Sequence, residues 1–213
     1  MQGKKKRPDV KRFSQALLHN ILVLHEDLAS GSYRHSSYEA FMVHDPKPRN
    51  IHKATVRDRL LHHAIYRLLY PSYNMSFIHD SYSYRDNKGT HRAFLQLVRY
   101  SRKVSRNHAS ACFALKMDIR RFFDSIDHEV LLGLLRIRIA DPSVVELLEN
   151  ILRSFECNPG KGMPLGNLTS QLFSNVKMDP FDKCVKHKLR AKYYLWYVDD
   201  FLILANSQSE LMG

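Results

Sequence analysis

The sequence is short of cysteine, of acidic residues and of long apolar runs, and each shortage excludes a class of protein. Only Cys112, Cys157 and Cys184 occur, far apart and without a CxxC pair, which leaves neither a disulfide framework nor a cysteine-rich zinc site and fits a reducing cytoplasm. No apolar stretch is long enough to span a bilayer, so no membrane partner is expected. The segment nearest to a signal peptide, Ala16 to Leu24 after a charged start, is interrupted by His19 and Asn20 and lacks a small-residue cleavage site. Internal repeats and low-complexity linkers are absent too. Asp and Glu number 21 against 33 Lys and Arg, giving a formal net charge of +12 spread along most of the chain, so a polyanionic partner is expected. The basic run Lys4 to Arg7 reads first as a solvated, frayed terminus, with an address signal or an RNA-gripping arm as the alternatives.

What is present suffices for a core: 213 residues, 44% hydrophobic, make one domain or two small, closely joined ones. Apolar residues at helical spacing predict a helix over Phe13 to Leu28, and Phe41 to Val43 reads as a short strand. The Pro46-Lys-Pro-Arg turn then leads through Ile51 into a helix over Val56 to Leu69, stopped by Pro71. Thr90 can cap a helix whose polar face bears Arg92, Arg99 and Lys103, and Cys112 to Ile119 is a strand candidate. Asp127 and the pair Asp141-Pro142 can open two further helices. A glycine-rich loop from Gly160 to Gly166 precedes a helix starting near Thr169-Ser170 and bent or broken near Pro180. Tyr193 to Val198 and Phe201 to Ala205 read as a hairpin with Asp199 and Asp200 at its tip. Helices first, then strands mixed with helices, is an α+β pattern, with a soft boundary near Asn107 to Ser110.

The chemistry lies in the carboxylates. Asp118 ends an apolar strand, and roughly 80 residues later the hairpin tip carries Asp199 and Asp200. If the hairpin pairs beside that strand, three negative charges meet in a small volume and repel unless a cation joins them. Hard oxygens without nearby His or Cys favour Mg²⁺, and two such ions suit an in-line phosphoryl transfer.

Tyr197-Val198-Asp199-Asp200 resembles the YxDD box of reverse transcriptases, and Met117-Asp118-Ile119 through Phe122-Phe123-Asp124 resembles their first palm motif. Upstream and in the same order, Lys47-Pro-Arg-Asn-Ile with Val56-Arg-Asp-Arg is similar to a fingers motif, and Ser81-Tyr-Ser-Tyr-Arg with Gly89 to the next. The resemblance implies the fingers and palm of a right-hand polymerase, with an antiparallel palm sheet packed on helices; fingers over residues 1–108 and palm over 109–213. It implies two Mg²⁺ ions on Asp118, Asp199 and Asp200, assisted by the Ile119 carbonyl. Phe123 falls at the steric-gate position that crowds a 2′-hydroxyl, five residues past Asp118. Lys47 and Arg49 fall near positions that hold the incoming triphosphate, a role suited to the arginine fork. Arg57 and Arg85 would grip template phosphates or brace the fingers internally, and Tyr197 would meet nucleic acid. The implied partners are an RNA template with a DNA primer or an RNA/DNA hybrid, deoxynucleoside triphosphates, and a basic accessory protein that no residue demonstrates.

One loop departs from most of the family. Met163-Pro-Leu-Gly-Asn-Leu-Thr-Ser-Gln has Leu165 where a glutamine is usual, followed by Gly166, and Gln171 where a proline is usual. This version resembles the enzymes of diversity-generating retroelements, whose copying is error-prone at template adenines. Another prokaryotic reverse transcriptase, of group II intron, retron or phage-defence type, is the alternative reading, and a catalytically incompetent nucleic-acid-binding fragment is a third. The chain stops about a dozen residues after Asp200. The family's thumb is therefore expected to be missing, and weak, salt-dependent binding with poor polymerisation is expected of this chain.

Overall fold

The computed structural model describes residues 6–44 and 48–212. The helix expected over Phe13 to Leu28 is two, α1 (Pro8–Gln15) and α2 (Leu17–Ala29), because Ala16 leaves helical geometry at φ −122° and ψ 42°. The Asn20 side-chain amide donates to the Phe13 carbonyl at 2.9 Å, satisfying one of the acceptors exposed at the end of α1. Strands β1 (Glu39–His44) and β2 (Pro48–Lys53) form an antiparallel hairpin with Phe41 opposite Ile51. The second of these was not expected. Pro-Arg-Asn-Ile-His-Lys has no apolar alternation, so only its backbone pairing reveals it, and its proline sits at the strand start, where a missing N–H is tolerated.

Helix α3 (Val56–Asn74) does not stop at Pro71 but runs through it. Burial of Tyr70 and Tyr73 on the last turns overrides the lost backbone donor. In α4 (Thr90–Val104) the cap is Gly89 at φ 101°, not Thr90, whose hydroxyl donates instead to the Tyr197 hydroxyl at 2.7 Å. Strand β3 (Phe113–Asp118) follows, then α5 (His128–Arg136) and α6 (Pro142–Arg153), capped as expected by Asp127 and Asp141. Helix α7 (Leu168–Lys183) contains Pro180 and passes into a wider π-type turn over Cys184–Lys188. The chain closes with the hairpin of β4 (Tyr194–Tyr197) and β5 (Asp200–Ala205) and a short helix, α8 (Ser209–Met212). Among the described residues no helix is long and apolar enough to cross a membrane.

By compactness the chain forms two interleaved units, Met1–Leu69 with Phe123–Phe173 and Tyr70–Phe122 with Ser174–Gly213. In the first, the apolar stripes of α5 and α6 meet, and Leu131, Leu132, Leu135 and Leu148 are all fully buried. Asp58 is fully buried there as well, accepting from Tyr33 Oη at 2.8 Å, Thr55 Oγ1 at 2.6 Å and the Ser36 amide at 3.3 Å. Burial pushes its carboxyl up, but the Thr55 and Tyr33 hydrogen bonds outweigh this and hold it below the usual range.

The second unit is built on an antiparallel sheet of order β3-β5-β4. Leu195 and Leu202 pair across it and pack with Tyr82 and with Ala93, Leu97 and Tyr100 of α4. Alternation sends Tyr194, Trp196 and Phe201 to the opposite face. There their rings stack, and Phe181 of α7 meets Phe201 edge-on. The observed architecture is thus α+β, with an antiparallel sheet packed on helices.

Behind those rings Tyr194 Oη donates to Asp182 Oδ1 at 2.5 Å, and burial pushes the Asp182 carboxyl up to about 7. A carboxyl whose pKa rises on folding keeps its proton in the native state. Stability is then highest at acidic pH, falls between the ordinary carboxylate range and pH 7, and is flat beyond. Asp182→Asn should therefore be more stable than the parent at pH 8, by on the order of 1–4 kcal/mol, with the gap closing towards pH 4. Urea unfolding at both pH values measures it, and a variant less stable at pH 8 would contradict the reading.

Candidate active site

The register of β3 against β5 sets Asp118 directly opposite Asp200. Directly opposed residues share a face with Cβ atoms about 4.5–5.5 Å apart, so two like charges are held side by side at a cost. The chain supplies the compensation from Lys116, two residues earlier on β3 and hence on the same face, whose Nζ lies 2.9 Å from Asp200 Oδ1. The Asp200 hydrogen bond and charge, then the Asp118 and Asp199 charges, hold the Lys116 ammonium above its ordinary pKa. One exposed cation thus feels all three carboxylates.

Asp199 is placed by the turn. Tyr197 ends β4 and Asp200 begins β5, so Val198 and Asp199 alone make the connection. Val198 sits at φ 59°, left-handed backbone that a β-branched residue rarely adopts and that two-residue hairpin loops usually give to glycine or asparagine. Three contacts hold it there. Trp196 Nε1 donates to the Val198 carbonyl at 2.8 Å, the Val198 amide donates to Ser83 Oγ, and Asn175 Nδ2 donates to the Ser83 carbonyl at 3.0 Å. The Ile119 amide donates to the Asp199 carbonyl at 3.1 Å, tying the end of β3 to the tip.

Among the described residues no three His, Cys, Asp or Glu side chains already form a closed metal-holding cluster. The donor set nevertheless fits a hard divalent ion. It consists of carboxylate oxygens on an exposed face, opposed in register, whose repulsion Lys116 relieves from the side where an ion's charge would act.

The other candidates divide by unit. Tyr197 lies opposite Asp200 on β4 with its hydroxyl bonded to Thr90. The Arg85 fork is turned into its own loop: Nε to Asn74 Oδ1 at 2.8 Å, Nη1 to the Ile78 and Ser81 carbonyls at 2.7 and 3.0 Å. It braces the segment that carries Ser83. In the first unit Arg57 is likewise engaged internally, 2.5 Å from Asp27 Oδ2 and stacked 4.7 Å over the Tyr33 ring. Arg49 is exposed on β2 opposite Val43, while Lys47 lies outside the described residues. The glycine loop is fastened to the same strand: the His52 amide donates to the Leu165 carbonyl at 3.2 Å, and Asn167 Nδ2 to the His52 carbonyl at 3.3 Å. Gly166, at φ 104°, faces Ile51 so closely that a Cβ would come within 3.0 Å of Ile51 Cγ2. Phe123 is buried and its carbonyl accepts from the Met163 amide at 2.9 Å; Gln171 stands half-buried in the first turn of α7.

Arg49, Leu165 and Gly166 are thus gathered in one unit, and Asp118, Asp199, Asp200 and Tyr197 in the other. Sequence reasoning missed Lys116 and Ser83. The signal for Lys116 was available, since residues two apart on a strand share a face; Ser83 had none, because it acts from a distant loop.

A family model described as "Reverse transcriptase (RNA-dependent DNA polymerase)" matches residues 44–213. Among curated relatives, Protein YkfC of Escherichia coli is 26% identical over 192 residues, covering 82% of this chain and 48% of that protein. The group II intron-encoded protein LtrA of Lactococcus lactis subsp. cremoris is 26% identical over 145 residues, 65% of this chain and 23% of its own length. Apo telomerase from Candida tropicalis, truncated from its C-terminal domain, superimposes with a TM-score of 0.58 at 10% identity, over 92% of this chain and 50% of that one, which speaks for the fold. The chain therefore spans half or less of the length of these relatives. With the matched region covering residues 44–213, this chain belongs to the reverse transcriptase (RNA-dependent DNA polymerase) family.

Proposed function

We propose that this chain carries the polymerising centre of an RNA-directed DNA polymerase, with residues 1–108 serving as fingers and 109–213 as palm. The observation that carries the reading is the opposition of Asp118 and Asp200 in register, with Asp199 on the adjoining tip. Asp118, Asp199 and Asp200 would hold two Mg²⁺ ions with help from the Ile119 carbonyl. Such ions activate a primer hydroxyl and stabilise the leaving oxygen of an in-line displacement. The chain's own groups do the positioning. Lys116, paired with Asp200, would cede that carboxylate to a bound ion, and the braced Val198 turn keeps Asp199 in place. Arg49 and Lys47 bind the triphosphate, and the Phe123 ring crowds a 2′-hydroxyl and so selects deoxynucleotides. Leu165, Gly166 and Gln171 bound the nascent pair, Tyr197 supports the nucleic acid, and Arg57 and Arg85 act as braces. RNA template, DNA primer and deoxynucleoside triphosphates are the partners, with a basic accessory protein as a further one, in the cytoplasm.

Two subtypes have separate support. Leu165 and Gln171 favour the diversity-generating retroelement type, since a leucine offers only shape where a glutamine amide would test hydrogen bonding. The likeness to LtrA favours the intron-encoded type equally.

In primer extension on an adenine-rich RNA template with Mg²⁺, the chain should add deoxynucleotides slowly and non-processively, and Asp199→Ala should lose on the order of 10²–10⁴-fold of that rate. Equal extension by both proteins would sink the catalytic assignment. Sequencing the products of Leu165→Gln and Gln171→Pro tests the subtype. Fewer errors opposite adenine support the retroelement reading, whereas unchanged spectra in both leave the intron-encoded one.

A further inference from the structure

The second unit has a basic cleft that the polymerising centre does not use. It measures about 320 Å³ and lies between α4 and the loop before it, with Lys88, Arg92 and Arg99 as its cationic walls and His79 and His91 beside them. From Asn87 to Met117 the chain carries Lys88, Arg92, Arg99, Arg102, Lys103, Arg106 and Lys116 and not one Asp or Glu. Among the described residues Arg92, Arg99, Arg102, Lys103 and Arg106 make no ion pair. Asp80, next to the lining residue His79, is buried and already held by Lys186 at 2.8 Å and by Tyr100 Oη at 2.9 Å.

The Lys88 ammonium is anchored in place, donating to the His79 carbonyl at 2.8 Å and lying 4.9 Å over the Tyr82 ring. Burial first, then the neighbouring Arg85 and Arg92 charges, pull it below its ordinary pKa, and the Asp80 carboxylate offsets them only in part. Seven residues separate Arg92 from Arg99 on one helix, so their Cα atoms lie about 10.5 Å apart along its axis and a line of anions can bridge them. Asn87 and Gln96 add neutral amide donors to the lining. Its apolar lining is Tyr82, a buried floor, and Leu95, a rim, without the exposed aromatic anchor that a protein partner's hot spot would require.

We infer that this cleft is a second RNA-binding surface, which grips the phosphate backbone of a structured RNA apart from the carboxylate hairpin and without reading its sequence. The choice of RNA among polyanions rests on the reverse transcriptase reading; the existence of the anion site does not. A contact of this kind holds a long template or its parent RNA while the primer end is extended elsewhere.

The test is fluorescence anisotropy with an RNA stem-loop that has no primer terminus, for the 213-residue chain and for Arg92→Ala/Arg99→Ala, over a series of salt concentrations. The double variant should bind on the order of tenfold more weakly, and its slope of log K against log salt should flatten by about 2. Arg92→Lys/Arg99→Lys, which keeps the charges, should recover most of the binding, and thermal melts establish that each variant is folded. Unchanged RNA affinity and slope in the folded alanine variant would overturn the proposal. So would binding of an acidic polypeptide as tight as that of the stem-loop and equally sensitive to the double substitution, which would assign the cleft to a protein partner. No step depends on nucleotide addition, so a chain that fails to extend primers but behaves as expected here separates the two readings.

Discussion

Everything at the candidate centre depends on one constraint: the strand register that sets Asp118 against Asp200. Antiparallel pairing allows no slip of a single residue without turning a whole strand inside out, and here a slip would also bury the acids and expose Phe201. The core therefore fixes the carboxylates. Met117 opposite Phe201 and Asp118 opposite Asp200 are consecutive rungs of one ladder, so the buried Phe201 on one face and the acid pair on the other are set by the same hydrogen bonds. Keeping two like charges in that position costs free energy, which Lys116 offsets with an interaction that an incoming ion can replace.

The turn that carries Asp199 extends the same logic. A valine in left-handed geometry costs on the order of 1–3 kcal/mol and persists only where its surroundings over-determine it. Trp196 and the Ser83 loop supply that surplus, and Asn175 and Arg85 in turn fix the Ser83 loop. Ser83 of the Ser81-to-Arg85 motif thus acts on the hairpin through its hydroxyl, which accepts from the Val198 amide, while the Arg85 side chain braces the loop that carries it. Arg57 has a comparable part in the other unit, where it joins Asp27, Tyr33 and Asp58.

The legible parts of the sequence were those where one local signal coincides with burial. Tyr194 to Tyr197 and Phe201 to Ala205 are unbroken runs of aromatic and aliphatic residues that are buried or half-buried, and Asp127 and Asp141 cap the helices they announce. Where tertiary contacts oppose the local signal, reading failed. Pro71 does not end α3 because Tyr70 before it and Tyr73 beyond it are both buried, and Thr90 yields the cap to Gly89 because its hydroxyl has a partner in Tyr197. Strand β2 was illegible because an exposed, polar strand leaves no period to count. The family motifs pointed to the acids but not to Lys116 beside them, whose role appears only once the two strands are paired.

The account's central claim is that Asp118, Asp199 and Asp200 act as one divalent-ion site, and direct titration of Mn²⁺ followed by electron paramagnetic resonance tests it most plainly. The parent chain should take up the ion, and replacing any one of the three by asparagine should weaken uptake on the order of ten- to a hundredfold. Uptake undiminished in all three single variants would contradict the claim, because acids that bind independently, or not at all, do not share an ion.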